Sequence, residues 1–158
     1  MKTKYIGFIL LLILFSSCKK DEVELSSTNY LIFGSFSPAW CNTHDCSDTY
    51  RLEEDQLLEG KTKYGFPSGD FYQSKYTKLS KQQFNDVKDL ITYFPPDLLL
   101  EPDTVIGMPG ATDGGGLYIE YNYGGVRKFW LLDGMKYKVP AKYHSFIDKV
   151  NEKLKLLQ

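Results

Sequence analysis

The chain has few of the side chains from which catalytic and metal centres are usually built. Its 158 residues include only 3 cysteines and 2 histidines, His44 and His144. No serine stands in a Gly-x-Ser-x-Gly sequence, which argues against the nucleophile turn of an α/β-hydrolase. The glycines at 114–116 precede a predicted strand and lack a following Gly-Lys-Ser/Thr, which argues against a phosphate-binding P-loop. The sequence therefore indicates no particular reaction.

An excess of charge of one sign and long apolar runs are also lacking. The chain has 19 Lys and Arg residues against 20 Asp and Glu, and no basic stripe indicates nucleic-acid binding. The longest apolar run, residues 5–15, would rise only ~16 Å as a helix, against a hydrocarbon core of ~30 Å. A run of this length is too short to span a membrane comfortably, and it favours a cleaved segment.

What the sequence does contain is a marked N-terminus. Lys2 and Lys4 precede the apolar run, and Ser16-Ser17-Cys18 follows it, which is the order of a secretory signal peptide. The small residues before Cys18 resemble the lipobox of bacterial lipoproteins, in which the cysteine becomes the new N-terminus and carries lipid. The resemblance implies a leader over 1–17, then an acylated Cys18 and a flexible tether over 18–28. An ordinary signal peptide with an incidental cysteine is the alternative.

The tripeptide after the lipobox concerns the final location. Lys20-Asp21-Glu22 resembles the export signal that sends bacteroidete-type lipoproteins to the outer face of the outer membrane. A merely charged tether would have a similar composition. We expect a protein that is attached to the outer membrane by palmitate-type acyl chains and exposed at the cell surface. Two such chains suffice for stable attachment.

Cys41 and Cys46 are the cysteines left after Cys18 is assigned to lipid. Outside the cytosol an isolated pair of cysteines is most simply a disulfide. A disulfide that closes so short a loop would stabilise the fold by roughly 2 kcal/mol. His44 and Asp45 inside the loop leave a metal site open as an alternative, and free thiols are a third. We expect no cofactor.

Residues 29–158 are the right length for one domain. Aromatic and branched residues predict strands over 30–36 and 71–79, with a hairpin over 50–58 and a second that pairs 117–121 with 126–132. Ser80 and Gln83 form a capping box before apolar residues that recur at helical spacing up to Phe94, and a closing helix follows Pro140. The predicted fold class is α+β, an antiparallel sheet packed against two amphipathic helices.

Two further segments carry a resemblance that covers most of the domain. They are Pro-Ser-Gly-Asp-Phe-Tyr at 67–72 and Asp-Gly-Gly-Gly-Leu-Tyr-Ile-Glu-Tyr at 113–121, which accompany the Cys-x4-Cys loop. Together they are similar to small bacteroidete-type surface lipoproteins of unknown function. The resemblance implies kinship and brings neither an activity nor catalytic residues.

These features favour a non-enzymatic envelope protein that binds a protein or glycan partner. Trp40 and Tyr123, predicted at loop tips, are the candidate contact residues because such aromatics are enriched at binding hot spots, although both could simply cap the core. The alternatives are a metal-binding protein centred on His44 and an enzyme acting on envelope glycans or peptides. The enzyme would use the carboxylates of the final hairpin region, which are Asp113, Glu120 and Asp133. Strand carboxylates are, however, usually exposed to solvent.

Overall fold

The computed structural model describes residues 29–36, 47–61, 71–111 and 115–158. Within these ranges the chain forms seven strands and two α-helices. The strands are β1 Tyr30–Phe36, β2 Ser47–Leu52, β3 Leu57–Lys61, β4 Lys75–Lys78, β5 Val105–Ile106, β6 Gly116–Tyr123 and β7 Val126–Asp133. The α-helices are α1 Lys81–Val87 and α2 His144–Leu157.

The described strands form one open sheet in the order β4-β3-β2-β1-β6-β7-β5. All neighbouring strands are antiparallel except β5, which pairs with β7 in parallel through Val105 and Ile106. The predicted α+β class, with an antiparallel sheet and two helices, is confirmed. The sequence did not predict β5, because a strand of two residues is too short to show alternation.

One side of the sheet, here called the helix face, carries the main core. Side chains alternate across a strand, so residues such as Leu31, Phe33 and Ile119 point to this side together with Trp130. They meet α2 through its apolar stripe, which includes Phe146, Ile147, Val150 and Leu154. The spacing of that stripe explains why this segment forms an amphipathic helix.

The first helix is shorter than its pattern predicts. The capping box is present: Ser80 accepts from the Gln83 amide, and the Gln83 side chain accepts from the Ser80 amide. After Val87, however, the chain tightens into a 3₁₀ helix over Lys88–Tyr93. The change from 3.6 to 3.0 residues per turn rotates Ile91 away from the buried apolar face of the helix, and Ile91 is 39% exposed.

The opposite side of the sheet, here called the second face, has no α-helix packed on it within the described ranges. Its apolar cluster is small and consists of Tyr30, Ile32, Tyr72, Tyr118, Phe129 and Leu131, with Phe71 packed against it. The strand predicted over 71–79 covers only Lys75–Lys78. The reason is that the backbone N–H of Tyr72 donates to the Tyr118 hydroxyl at 2.9 Å. The residues around Tyr72, before β4, therefore lie over the sheet and not within it.

Candidate functional site

Charged and hydrogen-bonding side chains form a row across the second face, which we call the polar belt, and all of them are buried except Arg127, whose side chain is 40% exposed. Its members are contributed by β1, β2, the β2–β3 turn, β6 and β7. In order across the sheet they are Gln56, Glu53, Arg51, Tyr30, Tyr118, Glu120 and Arg127. The strand register explains the arrangement, because Arg51 lies opposite Ile32, and Ile32 lies opposite Glu120 on the next strand.

Glu120 is the centre of one half of the belt. Its side chain is fully buried and accepts three hydrogen bonds: from Tyr30 at 2.8 Å, from Tyr118 at 2.5 Å and from Arg127 Nε at 2.8 Å. The guanidinium of Arg127 lies 4.0 Å from the centre of the Phe71 ring. Three hydrogen bonds compensate the cost of burying the charged carboxylate, and the same bonds hold the strands in register.

Arg51 is the centre of the other half. Its Nε donates to Glu53 at 2.7 Å, and Gln56 donates to the second oxygen of that carboxylate at 2.7 Å. The guanidinium lies 3.6 Å above the ring of Tyr30, whose hydroxyl binds Glu120. The ring of Tyr30 therefore joins the two ion pairs into one network.

The pKa directions indicate a network that keeps its protons. Burial, and then the hydrogen bond to Glu120, raises the pKa of Tyr30. Burial and the Glu120 charge also raise the pKa of Tyr118. Burial alone would lower the pKa of Arg127, but the hydrogen bond to Glu120 and the charge of Glu120, with smaller contributions from Tyr30 and Tyr118, together outweigh it and the pKa is raised. These phenols therefore remain donors, and the guanidinium remains charged, at neutral pH.

A groove of about 340 Å³ lies at one end of the sheet, and we call it the tyrosine groove. The start of β1, the β2–β3 turn, the 3₁₀ helix and the tip of the β6–β7 hairpin converge there. Its lining residues are Asn29, Tyr30, Leu52, Glu53, Glu54, Lys88, Ile91 and Tyr123. Its volume falls within the range of small-ligand sites, ~300–1,000 Å³. Two belt residues, Tyr30 and Glu53, form part of its wall, so the belt fixes that wall.

Tyr123 is the exposed aromatic residue of this groove, with 58% of its surface accessible. Its ring stacks on Tyr121 with 6.1 Å between centroids, and Tyr121 stacks on Phe94 at 4.3 Å. Phe94 in turn packs edge-on against Phe146 of α2. Tyr123 is thus the outer member of a column of rings that begins in the core. The structure places this predicted contact residue at a hairpin tip, as expected.

A second depression, of about 220 Å³, lies near Phe71, Thr104 and Arg127. It is smaller than the lower end of the range for small-ligand sites. Arg127 is already bound to Glu120, as described above. The tyrosine groove is therefore the better candidate.

The structure does not bring together Glu120 and Asp133, the two predicted hairpin carboxylates that lie among the described residues. Asp133 lies opposite Gly116 in the ladder, four residues along β6 from Glu120, so the two backbone positions are roughly 13 Å apart along the strand direction. Asp133 accepts from the amides of Met108 at 2.9 Å and Met135 at 2.7 Å. Burial alone would raise the pKa of Asp133, but these two amides and the nearby Lys138 ammonium together outweigh it and hold the pKa below its ordinary value. Asp133 therefore joins two loops.

Several predicted residues lie outside the described residues. They are Cys18, Trp40, Cys41, His44, Asp45, Cys46 and Asp113. His144 is described, and its Nε2 donates to the Val139 carbonyl at 2.8 Å. In the described ranges no three His, Cys, Asp or Glu side chains are grouped so as to hold a metal ion. Nor is any helix of those ranges long and apolar enough to cross a membrane.

A scan of the chain against protein-family models gave no match, and neither did a search of curated protein sequences. The similarity to bacteroidete-type lipoproteins therefore stays a prediction.

Sequence reasoning missed most of the groove and nearly all of the belt. Glu120 was expected to face solvent, and this was wrong, because its side chain is fully buried. A signal was available: Glu120 and Arg127 are charged residues inside two strands that pair, and such positions often form cross-strand ion pairs. The groove has no comparable signal, because its residues come from four separate segments.

Proposed function

We propose that this chain is a lipid-anchored protein of the outer-membrane surface whose domain binds an envelope ligand in the tyrosine groove without transforming it. The observation that carries the proposal is the exposed ring of Tyr123, held by the ring column beside a groove of ligand size. Solvent-exposed aromatic residues on a rigid support are favoured contact residues, because little conformational freedom is lost on binding.

The buried ionic groups support binding over catalysis. Glu120 has three donors and Glu53 has two, so both carboxylates are occupied in holding the fold. A general acid or base needs a group that exchanges a proton near the working pH. The pKa values of the belt phenols Tyr30 and Tyr118 are raised, which moves them further from that range.

The position of the groove supports a ligand close to the membrane. Asn29 immediately precedes β1, and it lines the groove. Eleven residue steps separate Asn29 from Cys18, the proposed lipid site, and these can span at most roughly 40 Å. A protein attached through Cys18 would therefore present the groove to molecules of the envelope surface.

The attachment is tested by labelling cells with radioactive palmitate. We expect label in the wild-type chain and none in Cys18→Ser, because the thiol is the proposed acceptor. Globomycin should cause the uncleaved form to accumulate. Processing that is unaffected by globomycin would contradict the proposed anchor.

The binding is tested by co-sedimentation of the mature chain, carrying Cys18→Ser to remove the lipid, with envelopes from cells that lack the protein. Tyr123→Ala should reduce the sedimented fraction, whereas Tyr137→Ala should not. Tyr137 is a matched control because it is 78% exposed and does not line the groove. Equal sedimentation of wild type and Tyr123→Ala would refute the proposed site.

A further inference from the structure

The geometry points to a neutral sugar ring as the ligand of the tyrosine groove, with its apolar face on Tyr123. This inference rests on the proposed binding function and adds the chemical class of the ligand. A pyranose has a C–H face that packs on an aromatic ring and an edge of hydroxyls that both donate and accept hydrogen bonds. The groove offers a counterpart to each.

The aromatic counterpart is fixed in place before the ligand arrives. The hairpin tip carries Gly124 and Gly125 at φ values of 59° and 83°, which a residue with a side chain rarely adopts. The Gly124 amide donates to Asn29 Oδ1 at 3.1 Å, which ties the tip to the start of β1. Together with the stacked Tyr121, this fixes the orientation of the Tyr123 ring.

The polar counterpart contains both an acceptor and a donor. Glu54, at the β2–β3 turn, is exposed and its carboxylate makes no hydrogen bond or ion pair within the described part of the chain. Lys88 is also exposed, and its ammonium group uses one of its three donors on Asn85 Oδ1 at 3.1 Å. Hydroxyls of a sugar can therefore donate to Glu54 and accept from Lys88.

The charge pattern argues against an anionic ligand. Glu53 and Glu54 both line the groove, and Asp55 follows them in an exposed position. Glu53 is paired with Arg51, so the charges left in the groove lining are the Glu54 carboxylate and the Lys88 ammonium, and Asp55 adds a negative charge next to Glu54 in the chain. A sulfated or phosphorylated ligand would meet like charge here, whereas a neutral sugar would not.

The groove lining also has an aliphatic part. Leu52 and Ile91 line the groove together with Tyr123. A ligand that combines apolar C–H groups with hydroxyls fits this mixture, and so does the methyl group of an N-acetylated sugar. Free ions and strongly polar small molecules do not.

The test is an array of neutral, N-acetylated and sulfated oligosaccharides, probed with the mature chain carrying Cys18→Ser. Titration calorimetry with the best neutral oligosaccharide then gives affinities for the variants. We expect Tyr123→Ala to bind at least about tenfold more weakly, and Tyr123→Phe to stay within about threefold because the ring remains. Glu54→Gln should weaken binding severalfold, and Tyr137→Ala should leave it unchanged. Thermal unfolding confirms that each variant is folded.

The outcomes separate the sugar proposal from the proposed function. Binding only to sulfated oligosaccharides, or neutral binding that Tyr123→Ala leaves intact, would overturn the sugar proposal. An absence of binding to every neutral oligosaccharide would overturn it too, even if Tyr123-dependent sedimentation with envelopes persisted. That last result would keep the binding function and assign it to a ligand of another class, such as a peptide.

Discussion

On the helix face of the sheet, apolar side chains meet two helices, whereas on the second face the buried groups include two glutamates and an arginine. The first face is stabilised by removing apolar surface from water. The second face is also buried, but its ionic groups are tolerated only because each has partners. This sheet therefore has one face that drives folding and one that fixes geometry, and the tyrosine groove lies where the two meet.

The largest expected effect of a substitution is on the helix face. Trp130 is 1% exposed and packs against Phe94, with 6.0 Å between ring centroids. Trp130→Ala should lower the free energy of unfolding by ~3–5 kcal/mol, because it leaves a large cavity. Urea denaturation measures this. Leu100→Ala, at a residue that is 81% exposed, is the control and should change stability by less than about 0.5 kcal/mol.

The second effect concerns the belt. Glu120→Ala should lower the free energy of unfolding by about 3 kcal/mol, because it leaves the Tyr30 and Tyr118 hydroxyls and Arg127 without their shared acceptor. The side chain of Arg127 is 40% exposed, so its ion pair with Glu120 is partly screened by water.

A double-mutant cycle with Arg127→Ala isolates that pair. We expect a coupling energy of about 1 kcal/mol, at the low end for buried pairs. A coupling of zero would mean that Arg127 does not stabilise Glu120, and the belt would then be a set of independent contacts.

A smaller effect, dependent on pH, is expected at Asp133. Its pKa is lowered in the folded state, so its contribution is complete above the unfolded value of about 3.9 and is lost as the pH falls through the folded pKa. Asp133→Asn should cost about 2 kcal/mol at pH 7, since it weakens two charge-assisted bonds to backbone amides. The variant should also lose less stability than the wild type between about pH 5 and pH 2. Parallel acid titrations that fall equally for both would contradict this account.

The smallest effect has the opposite sign. Thr49 lies on the second face and is 1% exposed, and its hydroxyl has no hydrogen-bond partner in the described part of the chain. Thr49→Val should therefore raise the free energy of unfolding by about 1 kcal/mol, because it removes a buried polar group that is unsatisfied. Thr77→Val, on the exposed edge strand β4, is the control and should change little. A loss of stability in Thr49→Val would indicate that this hydroxyl is satisfied in solution.

The difference between the faces also explains what the sequence could predict. Alternating apolar residues such as Leu117 and Ile119, and the helical stripe from Phe146 to Leu154, follow from repeat periods that are visible in one segment. The capping box of Ser80 and Gln83 is equally local. These local patterns were sufficient to predict the α+β class and the two helices.

The belt and the groove could not be found in the same way. Because charged residues usually lie on the surface, Glu120 and Arg51 are expected to face solvent. Only the pairing of β1 with both β2 and β6 brings their partners within hydrogen-bonding distance. Tyr123 could be named from its position at a predicted turn. Its neighbours in the groove, Ile91 and Glu54, come from elements whose approach depends on tertiary packing.

The most direct test of the account is to map binding onto the amides of the mature chain by NMR while envelope polysaccharide is added. The account predicts shift changes that are concentrated at residues around the tyrosine groove, including Glu54, Ile91 and Tyr123, with little change at the opposite end of the sheet near Met108. Changes centred on Met108, or none in the groove, would contradict it.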